Sequence, residues 1–315
     1  MTPSLGGARV LVTGATGQVG GPVARALAEA NDVVALARFR DPAAREPLEQ
    51  AGVRCVAADL AKGEFAAAGV PDDVDYVLNF AVAKTGRIDK DLAASAEAIG
   101  LLMAHCRHAR AVLHCSSTAV YAPRPRHPHA EDDPLGENGH RALLPTYTLV
   151  KVAAEAVART AARLFDLPTT IARLNVPYGD EGGWPLFHLL MMQAGQPVPV
   201  HPDAPSTFNP IHEDDIVRTI PGLLAAAGVP TTIVNWGGCD EVSVEDWCTH
   251  LGSLTGLSAT FEPSADALES VVVDRTRMVE LAGETTVDWR EGLRRMVAAR
   301  APELLDGPSG GRRSV

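Results

Sequence analysis

Short apolar runs alternate with amphipathic stretches through the first 178 residues of the chain. That is the pattern of strands buried on both faces with helices packed over them. The runs read as strands at Val10–Val12, Asp32–Ala37, Val53–Ala57, Asp75–Ala81, Ala111–Cys115 and Thr169–Leu174. Between them, helical periodicity predicts Val23–Glu29, Pro42–Gln50, Ile88–His108 and Tyr147–Phe165. Strand–helix–strand units of this spacing connect right-handedly, so the pattern predicts an α/β fold with a doubly wound parallel sheet.

Beyond Gly179 the alternation breaks up. Helices are expected at Trp184–Met192, Asp214–Ala227, from Ser243 onward, and at Trp289–Ala298, with one more strand at Thr231–Trp236. The stretch from Gly195 to Asn209 reads as irregular, with prolines at 197, 199, 202 and 205. Residues 1–178 are therefore expected to form the sheet unit, completed by later elements from 207–240. Residues 179–303 are expected to form mainly a smaller C-terminal lobe, and 304–315 a disordered polar tail. The proline-rich stretch from Pro123 to Pro145 is a long loop and a candidate lid, and its Glu131-Asp132-Asp133 cluster reads as a solvated turn.

Composition narrows the function classes. The chain has 315 residues, 46% hydrophobic and 21% charged, ordinary for a soluble globular protein. A formal net charge of −11 offers no basic face for a nucleic-acid backbone. Five scattered cysteines (Cys55, Cys106, Cys115, Cys239, Cys248) without a CxxC pair point to reduced, mostly buried thiols. With no signal-like N-terminus and no membrane-length apolar run, a cytoplasmic protein is expected. His127, His129, His201 and His212 are not spaced as metal ligands, so no metal is expected. His212 is read as making a structural hydrogen bond.

The chemistry begins at the first strand–helix turn, Gly14-Ala15-Thr16-Gly17-Gln18-Val19-Gly20. Glycines there let backbone N–H groups and a helix N-terminus approach an anion, the arrangement that cradles a dinucleotide pyrophosphate. By itself a glycine triplet also fits a tight turn without a ligand. After the second strand, Ala37 stands where an acidic residue would bind the NAD ribose, and Arg38 follows. An arginine there suits the 2′-phosphate of NADP, so NADP is the expected cofactor, with NAD possible.

Tyr147 and Lys151 stand at i and i+4, on one face of a helix. A neighbouring ammonium stabilises a phenolate, which turns tyrosine into a usable proton-transfer group. Ser116-Ser117-Thr118 lies at the carboxyl end of the fifth strand, the edge where open parallel sheets bind ligands. These three segments, in this order, resemble the extended short-chain dehydrogenase/reductase family of epimerases, dehydratases and reductases. Asp59-Leu60, Glu131–Leu135, Lys151–Glu155, Arg173 with Tyr178-Gly179, and Ile211-His212 with Asp214-Asp215 match as well.

The resemblance implies a Rossmann fold with Ser117, Tyr147 and Lys151 as catalytic residues. Ser117 would polarise the reacting oxygen, Tyr147 would act as general acid/base, and Lys151 would also hold the nicotinamide ribose. Cofactor contacts are expected from Gly14, Thr16, Gly17, Gln18, Val19, Gly20, Arg38, Asp59, Leu60, Phe80, Ala81, Ala83, Leu174 and Val176. Substrate contacts are expected from Thr118, Asn175, Trp184 and Phe208, and Phe187, Met191, Met192 and Trp236 could line an apolar pocket. A homodimer built on the Leu92–Cys106 and Tyr147–Phe165 helices is expected as well.

Departures from the family pattern sharpen the expectation. Thr118-Ala119 stands where dehydratases carry Asp-Glu, so sugar dehydration lacks its acid and base. Phe208 replaces the arginine that grips the diphosphate of a nucleotide sugar, and Val176 stands where the substrate-binding asparagine is expected, with Asn175 beside it. The expected activity is therefore an NADP-dependent oxidoreductase acting on a ketone or secondary alcohol of a small molecule that is not a nucleotide sugar. The alternatives are an NAD-dependent sugar-nucleotide epimerase and a non-catalytic dinucleotide sensor.

Overall fold

The computed structural model describes residues 5–124, 126–136 and 144–305. Seven strands form the central sheet: β1 (Arg9–Thr13), β2 (Asp32–Ala37), β3 (Arg54–Ala57), β4 (Tyr76–Asn79), β5 (Ala111–Ser117), β6 (Thr169–Leu174) and β7 (Thr232–Trp236). Their order is β7-β6-β5-β4-β1-β2-β3, and every pair is parallel. The order reverses between β1 and β4, which opens the crevice where such sheets take ligands. Val10, Leu11, Val12, Val77, Leu78, Val112 and Leu113 are 0% exposed, as a sheet covered on both faces requires.

Two apolar clusters cover the two faces. One gathers α1 (Gly20–Ala28) and Ile216, Ile220, Leu223 and Leu224 from the later helix at 213–225. The other gathers α2 (Ala98–His105) and α3 (Tyr147–Phe165), with Ala154, Ala158 and Ala162 against the sheet. A third cluster forms the smaller lobe from α4 (Trp184–Gln193), the helix Val244–Thr255 and the helix Trp289–Arg300.

Several expectations need correction. The helix expected over Ile88–His108 is composite: Ile88–Asp91, a π-helical run Leu92–Glu97, then α2, which ends at His105. Pro42–Gln50 splits into a 3₁₀ turn at Pro42–Ala44 and a short helix at Glu46–Gln50, with Pro47 near its start. The stretch 195–209 contains the short strands Val198–Val200 and Thr207–Phe208. The expected tail lies outside the described residues except for Leu304, which ends a 3₁₀ turn, and Leu305.

The acidic cluster is a turn in which Asp132 is exposed, but Glu131 and Asp133 are engaged by the fold. Glu131 accepts the Asn235 N–H at 3.0 Å, its own carbonyl accepts from Arg173 Nη1 at 2.9 Å, and Asp133 accepts the Ala130 N–H at 3.1 Å. The described part of the candidate lid is likewise pinned, with His129 N–H donating to the Val272 carbonyl at 2.9 Å. Residue 125 and residues 137–143 of that loop lie outside the described residues.

Candidate active site

The glycine turn has the build of an anion cradle. Gly14 has φ +67°, and a Cβ there would lie 2.7 Å from the Ala81 nitrogen, so only glycine lets the turn and the loop after β4 approach. The Gly17 N–H closes the turn on the Gly14 carbonyl at 2.9 Å. Helix α1 starts without a side-chain cap and without an acidic residue in its first turn. The Gly21 N–H is taken by the Gly17 carbonyl at 2.9 Å and Pro22 has no N–H, so the turn offers an anion a helix N-terminus that no acidic side chain of its first turn neutralises, which fits a pyrophosphate.

Thr16 and Val19 belong to this turn, and Gln18 ties it to the far wall by donating from Nε2 to the Pro177 carbonyl at 2.9 Å. Along the same edge, Arg38 is exposed just past β2. Asp59 caps the Leu60–Lys62 turn after β3 by accepting the Ala61 N–H at 3.1 Å. Phe80 follows β4, and Leu174 ends β6. The glycine turn, Arg38, Asp59, Phe80 and Leu174 thus lie along the carboxyl edge of the sheet, where a dinucleotide would lie, whereas the Ala83 N–H is taken by Ser95 Oγ and Val176 belongs to a strand outside the central sheet.

Ser117 ends β5 and Tyr147 opens α3, which packs on that strand. Lys151 lies one turn into α3, only 4% exposed, and donates from Nζ to the Cys115 carbonyl at 2.7 Å. Its Nζ is 5.8 Å from the centre of the Tyr147 ring. A second ammonium that sequence reasoning missed, Lys84, lies 5.3 Å from the same ring. Its signal was a lone basic residue directly after the β4 loop.

Among the described residues, three other proton-carrying groups on or just after β5, His114, Cys115 and Tyr121, are disabled. His114 on β5 is enclosed, and burial together with the Lys151 charge pushes its pKa down to about 3, so it stays neutral. Its Nδ1 meets Asn79 Nδ2 at 2.9 Å, and Asn79 Oδ1 accepts from Thr13 at 2.5 Å. Burial pushes Tyr121 up to about 12 and also raises the Cys115 thiol. The Tyr121 hydroxyl is spent on Asn235 Oδ1 at 2.5 Å.

A buried ion pair holds the carboxyl end of β5. Arg173 donates to both oxygens of Glu155, at 3.0 and 2.9 Å, and Ser116 donates to the same carboxylate at 2.6 Å. Burial disfavours the Arg173 charge, and Glu155 more than offsets it. The pair joins β6, α3 and β5 directly behind Ser117.

The expected substrate residues fall into two groups. Thr118 follows Ser117 at 5% exposure, just past the carboxyl end of β5. Asn175 instead acts as a pin, donating to the Val271 carbonyl at 2.9 Å and accepting the Asn209 N–H at 3.0 Å. Phe208 is 4% exposed, its ring 5.1 Å from Trp184 and 6.2 Å from Trp247, the surroundings of a lobe-core residue. Trp236 and Met192 are core as well, whereas Phe187 is 66% exposed. Helical spacing of apolar residues could not separate these cases, because core and pocket share it. His212 makes the expected structural bond, accepting the Asp214 N–H at 3.2 Å.

Comparison with known proteins identifies the family and the fold. The model of the NAD dependent epimerase/dehydratase family matches residues 10–237. No curated protein matches the sequence. Among solved structures, the fold is similar to a UDP-N-acetylglucosamine 4-epimerase from Methanobrevibacter ruminantium in complex with UDP-N-acetylmuramic acid. That match has a TM-score of 0.80 and 15% identity, and covers 95% of this chain and 99% of that one. A UDP-glucuronic acid 4-epimerase variant from Bacillus cereus, in complex with UDP-4-deoxy-4-fluoro-glucuronic acid and NAD, gives a TM-score of 0.78 at 20% identity over 92% and 98% of the two chains. The dTDP-glucose 4,6-dehydratase DesIV from Streptomyces venezuelae gives 0.78 at 21% over 92% and 96%. With the cradle, the serine and the tyrosine–lysine pair on one sheet edge, the chain belongs to the NAD dependent epimerase/dehydratase family, an enzyme family of the extended short-chain dehydrogenase type.

Proposed function

We propose that the protein is an epimerase that inverts a secondary-alcohol carbon of a nucleotide-sugar substrate and keeps NAD bound throughout. The observation that carries this reading is the convergence of Ser117, Tyr147 and Lys151 on the sheet edge that also carries the glycine cradle. Bound NAD supplies reversible hydride acceptance. Tyr147 takes the proton of the substrate hydroxyl and later returns it, Ser117 orients the reacting oxygen, and Lys151 supplies the positive charge that favours the phenolate. The absence of the Asp-Glu pair after Ser117 argues for epimerisation over dehydration. Residues 1–178 serve as the dinucleotide-binding unit and 179–303 mainly as the substrate lobe.

A second reading has its own support. Phe208 sits in the lobe core where an arginine would grip a diphosphate, and Arg38 is exposed where a 2′-phosphate would lie. Both favour an NADP-dependent reductase of an apolar ketone. Calorimetry of the cofactor-loaded protein with UDP- and dTDP-sugars against aromatic ketones separates the two. Micromolar binding of a nucleotide sugar supports the epimerase, and binding confined to the ketones supports the reductase. The Arg38→Ala variant tests the cofactor side. Under the epimerase reading it leaves NADH affinity unchanged and wild-type protein binds NADH at least as tightly as NADPH. Under the reductase reading it weakens NADPH by about 1.5–3 kcal/mol.

A homodimer follows from the outer face of α2 and α3. Leu101, Leu149 and Leu164 are 44%, 59% and 73% exposed there, beside a groove of about 350 Å³ lined by Gly100, Ala156, Val157, Thr160, Ala161 and Leu164. Small residues on both helices would allow a second copy to approach closely and cover these leucines. Sedimentation at micromolar concentration is expected to give twice the chain mass. A clean monomer would contradict this interface.

A further inference from the structure

Asp91 closes the first segment of the composite helix before β5, and it is 0% exposed. A buried carboxylate is costly unless donors surround it. Here the donors come from two other parts of the chain. Oδ1 accepts the Thr85 hydroxyl at 2.7 Å and the Thr85 N–H at 3.0 Å, while Oδ2 accepts the Gly86 N–H at 3.1 Å and the Thr146 hydroxyl at 2.7 Å. Burial works against the charge, but these bonds outweigh it and hold the carboxyl below its ordinary range. Within the π-helical run that follows, Ser95 Oγ accepts the Ala83 N–H at 2.9 Å. One helix thus fastens the loop 83–86 at two points and, through Thr146, the residue just before Tyr147.

Thr146 shows what this arrangement displaces. It holds the N-cap position of α3, where a threonine hydroxyl ordinarily accepts an N–H of its own helix. Instead φ −105° and ψ −9° are helical, there is no side-chain cap bond, and the hydroxyl turns to Asp91. The start of the catalytic helix is tied to another element in preference to being capped. The loop on the other side of Asp91 carries Lys84, whose Nζ lies 5.3 Å from the Tyr147 ring centre. A cavity of about 200 Å³, lined by Lys84, Thr85, Gly86, Pro145, Thr146 and Tyr147, lies between the parts so joined.

We propose that Asp91 is a positioning residue that, through Thr146 on one side and Thr85–Gly86 on the other, fixes Tyr147 relative to Lys84 and sets the shape of the cavity beside the reacting group. The proposal rests on Tyr147 as the proton-transfer group and is independent of which substrate it serves. Asp91 is missed by sequence reasoning because an acidic residue early in a helix reads as solvated.

The test uses no substrate. The chain has four tyrosines, and burial pushes Tyr121 up to about 12 and raises Tyr178 further still. Ultraviolet difference titration of tyrosinate, in the presence of NAD, assigns Tyr147 as the step missing from Tyr147→Phe, with the step of the fourth tyrosine, Tyr76, assigned by its loss in Tyr76→Phe. Thr146→Val removes the bond to Asp91 while keeping the Asp91 charge and the side-chain volume. It is expected to move the Tyr147 step to higher pH as Lys84 falls away from the ring, with the melting temperature showing that the fold is kept. Thr146→Ser, which keeps the hydroxyl, is expected to restore the wild-type step. A Tyr147 step unmoved in a folded Thr146→Val protein, or moved equally in Thr146→Ser, overturns the clamp. If Tyr147→Phe removes no step below the alkaline limit set by Tyr121, the proton-transfer reading fails and the clamp with it.

Discussion

Replacing Tyr147 by phenylalanine is expected to lower turnover by about 10²–10⁴-fold, the range that a positioned acid/base group contributes. The expectation rests on placement and, among the described residues, on elimination of three neighbours. His114 is held neutral with a pKa near 3, Tyr121 is pushed up to about 12 and bonded to Asn235, and burial raises the Cys115 thiol. None of them can take over proton transfer near neutral pH. Tyr147 has Lys151 and Lys84 within 6 Å of its ring, and the substitution leaves the ring in place. The cofactor site should therefore be undisturbed. Initial rates with the substrate found by calorimetry, beside NAD affinity by titration, check both halves. A variant that binds NAD normally and turns over at the wild-type rate would remove Tyr147 from the chemistry.

Glu155→Gln is expected to cost about 3–5 kcal/mol of stability and roughly 10 °C in melting temperature, because it leaves a buried guanidinium without its counter-charge. Arg173 is 2% exposed and Glu155 0%, so water cannot replace the lost partner. The neighbouring Arg159, 3.3 Å from Glu155 Oε2 and a third exposed, keeps access to solvent and loses little. The double variant Glu155→Leu with Arg173→Met should recover much of the loss, since breaking a buried pair costs more than replacing both members by apolar groups. Thermal unfolding of the single and double variants decides it. Strictly additive losses would mean that the two residues stabilise the fold independently.

The physical difference between local and tertiary signals explains which features the sequence made legible. The strands are readable because apolar runs such as Val10-Leu11-Val12 need only local pattern, and a parallel, doubly wound sheet follows from alternation with helices, whereas the strand order comes from the structure. The cradle and the tyrosine–lysine pair were readable because their function fixes short spacings. Ala93 and Ala96 continue a helical pattern through 88–105, so the π-helical run at Leu92–Glu97 leaves no mark in periodicity. The roles of Asn175 and Phe208 depend on partners at Val271, Asn209, Trp184 and Trp247, far along the chain. Likewise, Glu131 looked solvated until Asn235, on β7, supplied its partner. The reading as a dinucleotide sensor falls with membership in an enzyme family.

An epimerase regenerates its cofactor in each cycle, so it has no need to release it, whereas a reductase must exchange it every turnover. The measurement that bears most directly on this account is the NAD content of purified protein after exhaustive dialysis, taken together with turnover of a nucleotide sugar without added cofactor. The account predicts close to one NAD per chain and sustained turnover in the absence of added nucleotide. Cofactor-free protein that acts only while consuming added NADPH would contradict it.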